Sequence, residues 1–296
     1  MRTKTKRVRG DGLDLHVQVS GEGPPVILLH GFPENGHSWR KQIGPLADAG
    51  YAAWVPNLRG YPPSDVSPRQ ADYHLRHLAA DVAAIVEATG HPCAHVVGHD
   101  WGGIIAWTFA GLFPALLDRL VIMNAPHMAI FSARVWNSSQ ALRSLYAGFF
   151  QLPLLPEALL AAADYRILRR MFASMPLQKT AFGPEDIQVY VDGLSRPGAL
   201  KAAIDYYREN IRSDGMALAA GVRTAAETLV IWGEKDPALG VFLLTGLARY
   251  APGVRIHRIG TASHWVQNEM AAEVNQALLK FLGEQAGQCA GVSCRT

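Results

Sequence analysis

The sequence predicts an α/β fold, in which a mostly parallel central sheet is flanked by helices and carries an inserted helical cap. Over residues 1–127, short apolar runs alternate with stretches of helical periodicity, a pattern typical of a parallel sheet covered on both faces. The alternation stops over 128–222, where the periodicity is mostly helical and aromatic residues are frequent, and it resumes over 223–283. Residues 284–296 are mainly small and polar, and we expect them to form a disordered tail.

Each predicted element has its own local signal. Residues 13–20 alternate between apolar and polar, which is typical of a strand with one covered face, and 26–29 are all apolar, which is typical of a strand inside a parallel sheet. The further predicted strands are 51–56, 94–98, 120–123, 228–232 and 254–259. Apolar residues at helical spacing predict helices over about 40–49, 75–86, 104–113 and 271–281.

The chain is organised around residues 94–107, AHVVGHDWGGIIAW. A valine-rich run stops at Gly98 and a helical apolar pattern begins after Gly103, so Asp100 lies at the tip of a sharp turn between a strand and a helix. Small residues flank the tip because so tight a turn brings the two backbones together. An ionised carboxylate here can attack carbon directly, whereas a serine would first have to lose a proton. The alternative is that Asp100 only caps the following helix.

Composition and charge argue against some classes of partner. The net charge of +3 comes from a basic N-terminal arm, with five Lys and Arg residues in the first nine positions, and the rest of the chain is net acidic. No basic cluster typical of a nucleic-acid-binding surface is evident, and no apolar run is long enough to span a bilayer or to act as a secretion signal. We therefore predict a cytoplasmic protein with neither nucleic acid nor membrane as a partner, and leave a homodimer open.

Five short motifs stand out along the chain: HGFP at 30–33, GHDWGG at 98–103, DYYREN at 205–210, WGEKD at 232–236 and SHW at 263–265. In combination they resemble the epoxide hydrolases of the α/β-hydrolase fold, and the resemblance covers the chain up to about residue 282. It implies that the protein hydrolyses a small-molecule epoxide to a diol without a metal or any other cofactor.

The positions of three residues support a catalytic triad. Asp236 follows the predicted strand 228–232 and His264 follows the strand 254–259, so both lie with Asp100 at the carboxyl edge of a parallel sheet, where the active sites of such folds collect. The chain order of nucleophile, acid and histidine is that of the α/β hydrolases. His264 would act as the base, and Asp236 would fix its tautomer. The alternatives are an ordinary loop histidine and a turn-forming aspartate before proline.

The resemblance also assigns the groups that would stabilise developing charge. The backbone N–H groups of Phe32 and Trp101 are the expected oxyanion-hole donors. Tyr207, in the DYYREN motif, matches the cap tyrosine that protonates the epoxide oxygen in this family. The second cap tyrosine of the family often precedes a Phe-Gln pair, but Phe149 holds that position here. Tyr146 lies three residues earlier, on the same helical face, and is the best candidate for the second donor.

Other aromatic residues near the motifs are expected to line the site. The residues predicted to bind the substrate are Phe149, Phe150, Trp101 and Trp265. We expect Glu34 to form hydrogen bonds around the site and His99 to pack beneath it. The histidines along the chain form no convergent set of metal ligands, so we predict no metal.

Two other functions use the same fold. A haloalkane dehalogenase shares the Asp, His and acid machinery but needs two N–H groups that stabilise a halide. Trp101 supplies one, whereas position 32 is Phe where those enzymes often carry Asn or Glu. A non-catalytic ligand-binding protein is expected to have lost part of the triad, and all three residues are present here. The sequence therefore favours an epoxide hydrolase.

Overall fold

The computed structural model describes residues 3–137 and 139–284, so the predicted tail lies outside the described residues except for Glu284. The strands are β1 (Thr3–Arg9), β2 (Asp14–Ser20), β3 (Pro25–Leu29), β4 (Ala52–Pro56), β5 (Ala94–His99), β6 (Leu117–Met123), β7 (Glu227–Gly233) and β8 (Val254–Ile259). They form one eight-stranded sheet in the order β1-β2-β4-β3-β5-β6-β7-β8. Strands β3 to β8 pair in parallel, whereas β2 pairs antiparallel with both β1 and β4. The predicted α/β fold with a mostly parallel sheet is confirmed.

Helices cover both faces of this sheet. The α-helices of the described residues are α1 (Arg40–Asp48), α2 (Leu75–Thr89), α3 (Trp101–Leu112), α4 (Met128–Arg134), α5 (Gln140–Arg143), α6 (Leu145–Phe149), α7 (Leu155–Ser174), α8 (Pro184–Leu194), α9 (Ala199–Arg212), α10 (Gly215–Gly221), α11 (Val266–Glu269) and α12 (Ala271–Gly283). Ile27 and Leu29 of β3 pack into the apolar cluster under α2 and α3, whereas Val26 and Leu28 pack into the cluster under α1 and α12. Burial on both faces explains why β3 is apolar at every position.

Helices α4 to α10 all lie between β6 and β7. Within this segment, α7 is interrupted at residues 162–165, three of which have left-handed backbone angles. Across residues 3–137 and 139–284, no helix combines the length and the apolar character needed to cross a membrane.

Strand β1 was not predicted, because the sequence of this segment indicates only a basic arm. Only Val8 of its seven residues is buried, so the strand carries no apolar alternation. It is held at the edge of the sheet by backbone pairing with β2, and its charged side chains face solvent. Lysine-rich edges of this kind discourage pairing with another chain.

The order of the strands determines where a site can form. Strand β3 has β4 on one side and β5 on the other, so the loops that follow β3 and β5 leave the sheet side by side. A crevice opens at such a point in α/β sheets, at the carboxyl ends of the strands. Phe32 lies in the first of these loops and Asp100 begins the second.

Candidate active site

Asp100 lies between β5 and α3 in a backbone conformation that L-residues rarely adopt, with φ 52° and ψ −121°. The turn requires glycine on both sides, since a Cβ on Gly98 would collide with the carbonyl oxygen of Gly102, and one on Gly102 with that of Leu29. The Oδ1 atom of Asp100 accepts a hydrogen bond of 2.9 Å from the backbone N–H of Phe32. Backbone strain of this kind is typical of functional sites.

The structure brings the three predicted triad residues together. The Nε2 atom of His264, in the loop after β8, lies 3.6 Å from Oδ2 of Asp100. Its Nδ1 atom lies 2.8 Å from Oδ2 of Asp236, in the loop after β7. Asp236 and His264 are buried. The arrangement aligns a carboxylate, an imidazole and a second carboxylate at the carboxyl edge of the sheet.

Asp236 is held on both carboxylate oxygens. Its Oδ1 atom accepts hydrogen bonds from the backbone N–H groups of Ala238 at 2.7 Å and Leu239 at 2.9 Å. Its Oδ2 atom is shared between His264 and the side-chain amide of Asn124, which donates at 2.8 Å. These donors favour the ionised form and fix the plane of the carboxylate, so the imidazole of His264 is fixed with it.

Burial and neighbouring charges set the protonation of the triad. Burial raises the pKa of Asp100, and the lowering effect of His264 and His99 does not cancel this rise. Burial also opposes ionisation of Asp236, but His264 and the amide of Asn124 lower the pKa of Asp236 below its ordinary value. For His264, burial favours a low pKa, yet the carboxylates of Asp236 and Asp100 raise the pKa to about 9. At neutral pH, which is below this value, the imidazolium form of His264 is favoured beside the carboxylate of Asp236.

A buried polar pair supports the site from below, as the sequence predicts for Glu34 and His99. The ring of His99 packs against that of His264, with the centroids 4.8 Å apart. Its Nδ1 atom lies 3.0 Å from Oε2 of Glu34, and its Nε2 atom lies 2.9 Å from the carbonyl oxygen of His264. Burial opposes ionisation of Glu34, but His99 and the hydroxyl of Ser38 hold the pKa of Glu34 below its usual range. The pair thereby anchors the backbone of the histidine loop.

Two tyrosines cover Asp100 from the helical segment. Tyr207 on α9 and Tyr146 on α6 pack edge to face, with ring centroids 5.8 Å apart, and Tyr207 also contacts the ring of Trp101 at 4.9 Å. Burial raises the pKa of Tyr207 well above its ordinary value, and Tyr146 and Asp100 add to this rise. Burial and Asp100 likewise raise the pKa of Tyr146. Both hydroxyls therefore carry a proton at neutral pH and are able to donate it.

Two mainly apolar cavities meet at Asp100, Tyr146 and Tyr207. The larger has a volume of about 360 Å³ and is also lined by His264, Phe32, Phe149, Phe150, Trp265 and aliphatic residues of α7. The smaller has a volume of about 220 Å³, and its further lining includes Trp101, Ile104, Met128, Phe131 and Trp136. Of the residues predicted to bind the substrate, Phe149, Phe150 and Trp265 thus line the larger cavity and Trp101 lines the smaller. A small apolar molecule is able to reach Asp100 from either side.

Comparison with known proteins places this geometry in a family. Residues 24–270 match the family model described as alpha/beta hydrolase fold. Over 287 residues the chain is 35% identical to epoxide hydrolase 3 of Xenopus tropicalis, and the match covers 94% of this chain and 77% of that protein. The chain belongs to the epoxide hydrolase family of the α/β-hydrolase fold. The family and the fold that the motifs imply are therefore confirmed.

Further relatives of this epoxide hydrolase family member are similar over nearly its whole length. The AB hydrolase superfamily protein YfhM of Bacillus subtilis is 35% identical over 285 residues, which are 95% of this chain and 99% of that protein. The crystal structure of an epoxide hydrolase from Bacillus megaterium in complex with an inhibitor is similar with a TM-score of 0.85 and 27% identity, covering 94% of this chain and 100% of that one. Epoxide hydrolase A from Mycobacterium thermoresistibile has a TM-score of 0.84 and 29% identity, covering 97% and 99%.

Two residues that were not predicted from the sequence hold Asp236 in place in this epoxide hydrolase family member. Asn124, directly after β6, bonds Asp236 through its amide and accepts a hydrogen bond of 2.9 Å from the N–H of Gly233. A polar residue immediately after a buried strand was the signal that could have identified it. Arg143 on α5 donates from Nη1 to the carbonyl oxygen of Asp236 at 2.6 Å. This bond ties the helical segment to the loop that carries the acid, and no sequence signal pointed to it.

Proposed function

We propose that the protein is an epoxide hydrolase that converts a small-molecule epoxide and water into a vicinal diol, through a covalent ester on Asp100. The observation that carries the proposal is the position of the Asp100 carboxylate, which lies 3.6 Å from Nε2 of His264 and lines a mainly apolar cavity together with Tyr207 and Tyr146. A nucleophile, a base and two proton donors are thus available at one point. Several relatives, among them epoxide hydrolase 3 of Xenopus tropicalis, have names that agree with this reaction.

In the first step, a carboxylate oxygen of Asp100 attacks an epoxide carbon. The new C–O bond forms an ester as the bond to the ring oxygen breaks, and the electron pair stays on that oxygen. The hydroxyls of Tyr207 and Tyr146 donate hydrogen bonds to the developing alkoxide. One donor aimed at developing charge typically contributes about 100-fold or more to the rate. No base is needed, because the carboxylate attacks in its ionised form.

The loss of negative charge on Asp100 also lowers the pKa of His264. Esterification removes the charge of Asp100, which is one of the negative charges that raise the pKa of His264, so the imidazolium gives up its proton more readily. Tyr207 protonates the alkoxide and yields the first hydroxyl of the diol, and the proton that His264 releases is returned to Tyr207, which leaves a neutral imidazole. The reaction itself therefore produces the base that the next step requires.

In the second step, neutral His264 takes a proton from a water molecule that attacks the ester carbonyl. Asp236 keeps the proton of the ring on Nδ1, so Nε2 faces the water as the acceptor. Hydrolysis releases the second hydroxyl and returns a carboxylate to Asp100 and a proton to His264. The resting state is regenerated with all protons accounted for.

Negative charge develops on the carbonyl oxygen of Asp100 during this hydrolysis. We assign its stabilisation to the backbone N–H groups of Phe32 and Trp101. Support comes from the hydrogen bond that Phe32 already donates to Oδ1, and from the lowering effect that both N–H groups have on the pKa of Asp100. The amino-terminal end of α3 adds a partial positive charge at the same place.

The division of the chain follows from these roles. We propose that residues 128–222 form a cap over two core segments, 1–127 and 223–283. The cap supplies Tyr146 and Tyr207, and the cavity walls that we assign to substrate binding are Phe149, Phe150, Trp101 and Trp265. The core would then carry out the chemistry at the ester, and the cap would select the epoxide.

Product analysis separates this proposal from its main alternative. The protein is incubated with styrene oxide and, separately, with 1-bromobutane, and diol and bromide are quantified. We expect diol from the first substrate and no bromide from the second. Bromide release without diol formation would instead identify a haloalkane dehalogenase.

Trapping the ester tests the mechanism. His264→Gln should form the ester but not hydrolyse it, so intact-protein mass spectrometry should reveal a mass increase equal to that of the epoxide. Asp100→Asn combined with His264→Gln is the matched control and should show no increase. In a single turnover of the wild type in heavy-oxygen water, the first diol should be unlabelled, because its new oxygen comes from Asp100. Immediate incorporation of solvent oxygen would exclude the ester.

A further inference from the structure

The cap segment carries an unusual concentration of exposed apolar side chains. Fifteen large apolar residues are exposed among the described residues, and eleven of them lie within residues 136–177. The most exposed are Trp136 at 83%, Leu154 at 80%, Leu142 at 74% and Leu145 at 66%. Single exposed apolar side chains are ordinary on protein surfaces, so it matters that several of these lie together around the cavities.

Some of these exposed side chains lie at the openings of both cavities. Trp136 lines the smaller cavity, and Leu159, Ile167 and Met175 line the larger, yet each of these side chains is also exposed to solvent. Tyr146 lines both cavities and is itself 37% exposed. A side chain that is both exposed and part of a cavity wall lies at the mouth of that cavity. The apolar surface therefore continues into the apolar interior that leads to the nucleophile.

The same segment is strongly basic. Residues 134–179 contain six basic side chains, Arg134, Arg143, Arg166, Arg169, Arg170 and Lys179, against two acidic ones. Both acidic side chains are in ion pairs, Glu157 with Arg208 and Asp164 with Arg169. Arg166 and Arg170, by contrast, are exposed on α7. Apolar side chains combined with excess positive charge are the means by which a protein lies on an anionic lipid surface.

We propose that the exposed apolar and basic side chains of residues 134–137 and 139–179, the cap face, bind an anionic lipid surface and turn both cavity mouths towards it. A substrate dissolved in the lipid would then enter the cavities without crossing bulk water. The contact lies along the membrane surface and needs no spanning helix. It departs from the prediction of no membrane partner, which rested on the absence of an apolar run long enough to span a bilayer. Binding depends on the surface alone, so it stands independently of the proposed reaction.

A second copy of the chain is the main alternative occupant. In a two-fold symmetric dimer the cap face would meet itself, and two sets of arginines would come together where both acidic side chains are already paired. Such a juxtaposition of like charges is unfavourable at an interface. An anionic lipid surface complements the charge as well as the apolar side chains.

Sedimentation with lipid vesicles tests the proposal in the absence of substrate. The vesicles contain phosphatidylcholine alone or phosphatidylcholine with phosphatidylserine. One variant removes the apolar side chains, Leu142→Gln/Leu145→Gln/Leu154→Asn, and a second reverses charge, Arg166→Glu/Arg170→Glu. Their matched controls are Ile256→Gln, an exposed apolar residue on β8, and Lys4→Glu/Arg76→Glu, two exposed basic residues of the core.

We expect the wild type to bind the phosphatidylserine vesicles more tightly than the neutral ones. Both cap-face variants should lower the partition coefficient by at least about tenfold, whereas both controls should leave it unchanged. Thermal unfolding, and turnover of a water-soluble epoxide without vesicles, should match the wild type in all four variants, since none of the changed residues lines the cavities.

Two results would overturn the proposal. The first is that the wild type does not bind phosphatidylserine vesicles, or binds them no better than neutral ones. The second is that the wild type sediments as a dimer in analytical ultracentrifugation and the apolar variant as a monomer, with vesicle binding absent in both. The cap face would then be a contact between two copies of the chain. Because neither readout requires turnover, failure of the proposed reaction would not affect the result.

Discussion

The variant Asp236→Asn tests most directly how the site controls the protonation of His264. The rise of the His264 pKa from 6.5 to about 9 corresponds to about 3 kcal/mol in favour of the imidazolium, against the opposing effect of burial. Without the carboxylate of Asp236 the effect of burial should dominate, and the pKa of His264 should fall well below 9. The amide also places a donor opposite Nδ1, which favours the tautomer whose proton is on Nε2. That tautomer is unable to accept a proton from water.

Hydrolysis of the ester should therefore slow by about a thousandfold or more, as expected when the acid of a triad becomes an amide. Formation of the ester should change much less, because Asp100 attacks without a base. Rapid-quench mass spectrometry measures both rates in one experiment, and the ester should accumulate in the variant. The titration of His264, followed by NMR of its ring, gives the pKa directly. A hydrolysis rate within about tenfold of the wild type would contradict the role of Asp236.

A matched exchange separates catalysis from stability. In Asp236→Asn alone, the new amide faces the donor amide of Asn124, and a buried donor without a partner costs about 1–3 kcal/mol. The double variant Asn124→Asp/Asp236→Asn restores a carboxylate opposite an amide, so its free energy of unfolding should recover. His264 still faces an amide, so hydrolysis should stay slow. Recovery of hydrolysis in the double variant would refute the tautomer argument.

Three other changes have outcomes that follow from the geometry. Tyr207→Phe should slow ester formation by about 100-fold or more and spare ester hydrolysis, with a further loss when Tyr146→Phe is added; unchanged rapid-quench rates would exclude both hydroxyls as donors. Because the pKa of His264 in the folded protein, about 9, exceeds 6.5, its contribution to stability is complete below pH 6.5 and is lost as the pH rises through 9. Denaturant unfolding should detect a fall of up to about 3 kcal/mol that His264→Gln lacks, and equal pH profiles would contradict this. Gly98→Ala should cost about 3 kcal/mol or more in thermal or denaturant unfolding, whereas Gly44→Ala, in open space on α1, should be neutral or stabilising, and equal stabilities would argue against a steric need for glycine in the turn.

The strands could be predicted wherever burial requires a pattern of apolar residues in the sequence. Strand β3 is buried on both faces and therefore reads as an apolar run, and the turn at Asp100 is marked by the glycines on either side of it. Strand β1 leaves no such mark, because backbone pairing holds it at the edge and only Val8 is buried. Sequence patterns record burial, not backbone pairing, so exposed edge strands are the elements that they miss.

The residues of the predicted site were identified from their positions after the strands, but the hydrogen-bond partners of Asp236 were not. Residues that directly follow parallel strands must converge at one edge, which is why Asp236 and His264 were identified along with Asp100. The partners of Asp236 depend on which strands are neighbours and in which register. Asn124 reaches Asp236 because β6 pairs with β7, and Arg143 reaches it because α5 lies close to the loop after β7. Neither relation is visible in a linear pattern.

The point at which the helical segment leaves the sheet has a consequence for how this protein diversifies. Strands β6 and β7 are paired neighbours, with Met123 opposite Ile231. The chain therefore leaves the sheet and returns to it at two strands that backbone hydrogen bonds hold together. The segment inserted between β6 and β7 can therefore change in length or in the residues that line the cavities, while Asp100, directly after the adjacent β5, keeps its position. Chimeras that exchange residues 128–222 but retain both tyrosines should therefore have the substrate preference of the protein that donates the cap and the catalytic reaction of the protein that supplies the core.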